Sequence, residues 1–79
     1  MYHSVTSVKS IGNYNLEIEF DSSEIMVIDF TPYLVIGRFR ELLDYELFNS
    51  VRINFDTLEW NNGLDIDPEF LYEKSTKFD

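Results

Sequence analysis

From Val5 to Phe30 apolar residues, many of them β-branched or aromatic, alternate with polar ones, and two stretches of turn chemistry interrupt the alternation. Val5 to Ser10 reads as a first strand, closed by Gly12 and Asn13, which tolerate positive φ and permit a tight hairpin. Tyr14 to Phe20 is the clearest strand, with Tyr14, Leu16, Ile18 and Phe20 on one face and Asn15, Glu17 and Glu19 on the other. Asp21-Ser22-Ser23 makes the second turn, and Glu24 to Phe30 the third strand. Met26, Ile28 and Phe30 share a face there while Ile25 and Val27 point oppositely, so apolar residues on both faces place this strand centrally in a sheet.

The period changes at Thr31-Pro32, where proline suits the first turn of a helix and Thr31 is placed as its N-cap. Gly37 interrupts, and Ile36, Phe39, Leu42 and Leu43 then fall on one face of an amphipathic helix ending near Asp44, with Arg38, Arg40 and Glu41 outward. Tyr45 to Asn49 reads as a loop that anchors Leu47 and Phe48. Val51, Ile53 and Phe55, set against Arg52 and Asn54, restore a period of two for a fourth strand. After a turn at Asp56-Thr57, Leu58 to Trp60 begins a fifth strand, which Asn61-Asn62-Gly63 ends. Asp67, Pro68 and Glu69 read as N-cap, N1 and N2 of a short helix carrying Phe70 and Leu71, and the tail from Lys74 to Asp79 is expected to fray. The expected fold class is therefore α+β: an antiparallel sheet, made of a three-stranded meander plus a second hairpin, with one main helix and a short C-terminal helical turn. At 79 residues the chain is read as one domain over 1–79, ordered over about 4–73.

Composition narrows the function classes. Hydrophobic residues at 44% and aromatics at 16% suffice for one packed core. The absence of cysteine removes disulfides, thiolate catalysis and thiolate-ligated zinc. Residues 1–40 hold five acids and three bases, net −2, and residues 41–79 hold ten acids and three bases, net −7, which together give the −9 of the chain. Phosphate backbones and anionic lipids repel such a surface, so direct nucleic-acid binding and membrane binding are not expected. With no apolar stretch of signal-peptide or membrane-span length, the expected location is the cytoplasm.

Candidate chemistry is sparse. His3 is the sole histidine and lies near an N-terminus expected to be mobile, and none of the serines sits in a nucleophile-elbow setting. The three scattered glycines build no phosphate-binding loop. Ligand-type groups concentrate only in Asn61-Asn62-Gly63-Leu64-Asp65-Ile66-Asp67-Pro68-Glu69, which fails the EF-hand pattern because its glycine comes first and Glu69 follows proline directly. No cofactor, metal or catalytic residue is assigned, and turn and cap hydrogen bonds account for the Asn and Asp residues. Trp60 and Tyr72 flank the segment and with Phe70 offer an aromatic surface, although alternation with Leu58 directs Trp60 into the core.

The stretch from Trp60 to Tyr72 carries a Trp-x-Asn-Gly-x-Asp pattern, as Trp60-Asn61-Asn62-Gly63-Leu64-Asp65, followed by Pro68-Glu69-Phe70-Leu71-Tyr72. In this it resembles the small bacterial domain-of-unknown-function family twenty-four forty-two. Leu16 to Asp21, Val27 to Phe30, Phe39 to Leu42 and Leu47-Phe48 are similar to the family's other blocks, in order, so the likeness covers Val5 to Tyr72. Ser22-Ser23 stand where members commonly have glycine, and Asn61 where they have proline after the tryptophan. The resemblance implies a small α+β domain without established activity, cofactor or catalytic residues. Members are sometimes joined to a helix-turn-helix domain and often encoded beside another small protein, an arrangement similar to toxin and antitoxin pairs.

Two readings remain at this point. In the first, the protein is not an enzyme but an antitoxin-like or regulatory protein-binding module, whose acidic second half meets a basic partner such as the product of an adjacent gene. Its candidate contacts are Glu59, Asp65, Asp67, Glu69 and Tyr72. The alternative is a carboxylate- or metal-dependent enzyme centred on Asp65 to Glu69. Free edge strands in so small a sheet also leave room for a homodimer.

Overall fold

The computed structural model describes residues 3–77. In chain order the elements are β1 (Val5–Ser10), β2 (Asn15–Phe20), β3 (Ile25–Asp29), 3-10 segments at Thr31–Tyr33 and Gly37–Leu43, α1 (Tyr45–Phe48), β4 (Arg52–Asn54), β5 (Thr57–Glu59), β6 (Asp65–Ile66), α2 (Pro68–Lys74) and β7 (Thr76–Lys77). They form two antiparallel sheets, one ordered β1-β2-β3-β7 and one ordered β4-β5-β6. The α+β architecture and the opening meander are those that the alternation predicts. Among the described residues no helix is long and apolar enough to cross a membrane.

Alternation along β2 buries Leu16, Ile18 and Phe20, and along β3 it buries Met26 and Ile28. This face packs on Phe30, Leu34, Leu42, Phe48, Leu58, Trp60, Ile66 and Leu71 from the rest of the chain. Among the described residues no polar or charged residue is fully buried. Trp60 sits at the junction: its indole N–H donates to the Phe48 carbonyl at 3.0 Å, and its ring meets Phe30 edge-on at 5.6 Å. A buried indole thus keeps its hydrogen bond while joining both sheets to α1.

Several elements depart from the expectations of the sequence. The main helix is a 3-10 segment, and with three residues per turn Phe39 and Leu42 fall on the inner side while Leu43 rotates into solvent and Ile36, the residue before the segment, is exposed. Thr31 is not an N-cap: the turn follows Phe30 without a side-chain cap, and the Asp29 carboxylate accepts the Thr31 N–H instead. Tyr45 to Phe48, read as loop, is helical because Asp44 Oδ1 accepts the N–H groups of Glu46 and Leu47. Tyr14 is a turn residue at φ 61° rather than the start of β2. β6 was not expected at all. Nor does the tail fray through to Lys77, since Lys74 ends α2 and Thr76 and Lys77 pair with Val27 and Met26; the remainder of that expectation, residues 78 and 79, lies outside the described residues.

The largest departure is Phe55. It does not share an inward face with Val51 and Ile53, because β4 stops at Asn54 and pairs Asn54 with Thr57 across a two-residue loop. Phe55 occupies the first loop position at φ 59° and is 91% exposed.

Trp60→Ala is expected to cost about 3–5 kcal/mol, a large share of the roughly 4–12 kcal/mol available to a chain of this length. Urea unfolding followed by circular dichroism checks this, and a loss below about 1 kcal/mol would contradict the junction role.

Candidate functional site

The C-terminal segment builds two features on adjacent faces of α2. Asp67 caps the helix, its Oδ1 accepting the Glu69 N–H at 2.8 Å, and Pro68 occupies the first turn, where its missing N–H costs nothing. Leu71 anchors the helix in the core, and Phe70 rests edge-on against Tyr33 at 5.4 Å.

The first feature is an open groove of about 370 Å³ lined by Phe39, Asp65, Ile66, Asp67 and Phe70. Phe39 reaches it because the 3-10 segment is clamped to the Asn61-Asn62-Gly63 turn. Asn62 Nδ2 donates to Glu41 Oε1 at 2.8 Å, and Arg38 donates both to Glu41 Oε2 at 3.3 Å and to the Asn62 carbonyl at 3.1 Å. The Asn62 bond, seconded by Arg38, holds the Glu41 carboxyl below its ordinary range. Asn62 Oδ1 in turn accepts the Leu64 N–H, which shapes the entry to β6, the edge strand beside the groove. Asp65 and Asp67 are exposed, and Asp65 has no side-chain hydrogen bond or ion pair among the described residues.

The second feature is a polar network around Tyr72. The His3 N–H donates to Glu69 Oε2 at 2.6 Å, His3 Nδ1 lies 2.8 Å from Glu69 Oε1, and the imidazole stacks on Tyr72 at 3.8 Å. Tyr72 donates its hydroxyl to Glu24, as does Ser22, and Lys77 lies 3.9 Å from the same carboxylate. His3 is therefore held against α2 rather than mobile. Glu69 is lowered by the His3 side chain and then by its backbone N–H; Glu24 is lowered by Ser22 and then by Tyr72; Tyr72 is raised by Glu24.

Of the five residues predicted as contacts, Asp65 and Asp67 come together at the groove, and Glu69 and Tyr72 come together through His3. Glu59 stands apart on β5, where Asn54 donates to it and Arg52 lies at 3.5 Å. The sequence reading offers Phe70 as part of an aromatic surface but misses Phe39 and Ile66 as groove residues, and His3 and Glu24 as network members. No local pattern links His3 to Glu69, 66 positions later. Among the described residues no three His, Asp or Glu side chains are grouped so as to hold a metal ion.

Asp67→Ala is expected to destabilise the fold by about 1 kcal/mol in chemical unfolding, the usual value of an N-cap. The lowered carboxyls predict an acid dependence: where folded values lie below unfolded ones, the unfolded chain binds more protons. The stabilisation by Glu24, Glu41 and Glu69 is thus present above their ordinary 4.5 and lost as pH falls through the folded values. Protonation also relieves the repulsion of a −9 chain, so the comparison must be with the Glu24→Gln, Glu41→Gln, Glu69→Gln triple variant. Thermal unfolding between pH 7 and pH 3 should show the larger loss in the parent protein, and parallel curves would contradict the assignment.

No curated protein and no solved structure matches the chain. Residues 5–77 match the family described as Protein of unknown function (DUF2442). The match takes in both sheets, the clamped 3-10 segment and α2, and the chain belongs to that family.

Proposed function

We propose that the protein is a protein-binding module, antitoxin-like or regulatory in role and acting in the cytoplasm, whose acidic second half meets a basic protein partner encoded beside it. The observation that carries this reading is Phe55. A positive φ at the first position alone of a two-residue hairpin loop is the pattern of a type II′ turn, a place for glycine. A phenylalanine there costs on the order of 1–3 kcal/mol of backbone strain, and at 91% exposure it recovers almost nothing by burial. The Val5 N–H donates to the Asp56 carbonyl at 3.0 Å and ties this turn to β1, so the ring is presented from a fixed support. An aromatic so displayed serves a partner's pocket, the usual form of an interface anchor.

Charge supports the same reading. Glu59 pairs across the sheet with Asp65, so the strand that leads away from Phe55 carries acids toward the Asp65 and Asp67 rim. Against the enzyme alternative, Asp65 and Asp67 are open to solvent, and Glu69 is shifted downward, opposite to the direction a general acid requires.

Isothermal titration against the adjacent gene's product tests the proposal. Affinity should fall between 50 and 300 mM salt, fall about tenfold or more in Glu59→Lys with Asp65→Lys, and fall roughly 30-fold or more in Phe55→Gly. Phe55→Gly should keep or raise the melting temperature. Binding that ignores salt and survives both variants would overturn the proposal.

A further inference from the structure

We infer that the groove between Phe39 and Phe70 receives an arginine side chain from the partner, an inference that rests on the binding-module reading and specifies its chemistry. At about 370 Å³ the groove lies at the small end of the roughly 300–1,000 Å³ of ligand pockets. It suits one long side chain rather than a cofactor. Its apolar lining residues are Phe39, Ile66 and Phe70, and the other two are the acids Asp65 and Asp67. An occupant must therefore lay an apolar, cation-tolerant stem on aromatic rings and bring positive charge to two acids.

Arginine meets these demands better than lysine. Its guanidinium is flat, weakly hydrated and able to stack on a ring while donating in parallel to a carboxylate. Asp65 has no described partner to release, whereas Asp67 gives Oδ1 to the Glu69 N–H and keeps its second oxygen. None of the chain's lysines and arginines lines the groove. Arg38 is tied to Glu41 and Asn62, Arg52 to Glu59 and Asn61, Lys74 lies by Glu73, Lys77 by Glu24, and Lys9 and Arg40 are not among the lining residues. The N-terminus of α2 also points its partial positive charge toward this end, but the helix has only seven residues and the Asp67 carboxylate sits on its cap.

The test is a nuclear magnetic resonance titration of the whole chain with acetyl-Ala-Arg-Ala-amide and, separately, its lysine counterpart. Saturable shifts are expected at Phe39, Asp65, Ile66, Asp67 and Phe70, with the lysine peptide roughly 2–5-fold weaker. Asp65→Asn, at a side chain with no hydrogen bond or ion pair among the described residues, should weaken the arginine peptide several-fold without moving the melting temperature. Phe39→Leu, whose folding the melting temperature reports independently, should erase the preference for arginine over lysine. Shifts spread evenly over Glu17, Glu19, Glu46 and Glu73, equal affinity for the two peptides, or indifference to Asp65→Asn would each overturn the inference. If the partner still binds with salt dependence while these results fail, the groove assignment alone is wrong. If the peptide maps to the groove but the adjacent gene's product does not bind, the groove stands and the choice of partner falls.

Discussion

The indole of Trp60 is the contact on which the rest of the structure depends. The two sheets share no strand, and β4, β5 and β6 together contribute only eight residues, too few to stand alone. Besides the Val5 to Asp56 backbone bond, what joins them to the meander is a ring packed on Phe30, which follows β3, and hydrogen-bonded to Phe48, which ends α1. Phe48 also meets Tyr14 and Phe30 edge-on, so a connected set of aromatic rings runs from the first hairpin to the last sheet. A small domain without disulfides gains its cohesion from such large side chains. With Trp60 in place, the turn that follows it projects toward the 3-10 segment, and Asn62 can grip Glu41.

Fifteen acids against six bases would strain so small a fold if the acids were left to repel one another. Many of them serve as local acceptors instead. Asp29, Asp44 and Asp67 take backbone N–H groups at the starts of helical turns, and Glu24, Glu41 and Glu69 take hydrogen bonds from Tyr72, Asn62 and His3. Hydrogen bonds to an ionised acceptor are stronger than neutral ones and need no cation, which is how the chain tolerates its scarcity of lysine and arginine. Asp65 stands outside this arrangement. Its side chain has no hydrogen bond or ion pair among the described residues and it lines the groove, which is the physical reason for looking to a partner there.

The strands were legible because a period of two is a local signal: Leu16, Ile18 and Phe20 announce their face whatever else the chain does. The helical region was not, because Phe39 and Leu42 satisfy both the 3.6 and the 3.0 period, and only Leu43 in solvent distinguishes them. Asp44 is of a type suited to cap α1, but the amphipathic pattern places it at the end of the preceding segment instead. The groove draws on residues 39, 65–67 and 70, and the His3 network on positions 3, 24, 69, 72 and 77, so neither exists in any window of sequence. The four site acids could be named from charge density; their separation into a groove pair, a histidine-bound Glu69 and a Glu59 set apart on β5 depends on the course of the backbone.

Among the described residues four non-glycine residues adopt positive φ: Asn13, Tyr14, Ser23 and Phe55. Asn13 is of a type that tolerates the left-handed region. Tyr14 is compensated, since its hydroxyl donates to the Leu43 carbonyl and its ring packs against Tyr45 and Phe48. Ser23 donates its N–H to the Phe20 carbonyl within the turn that starts β3. Phe55 has a strained backbone, a large apolar side chain and no burial to offset either. A turn that needed only to reverse direction would be better served by glycine, and one that needed solubility by a polar residue. The residue present is the one that improves neither, and a side chain that burdens the isolated fold in two separate ways is best understood through what it meets outside it.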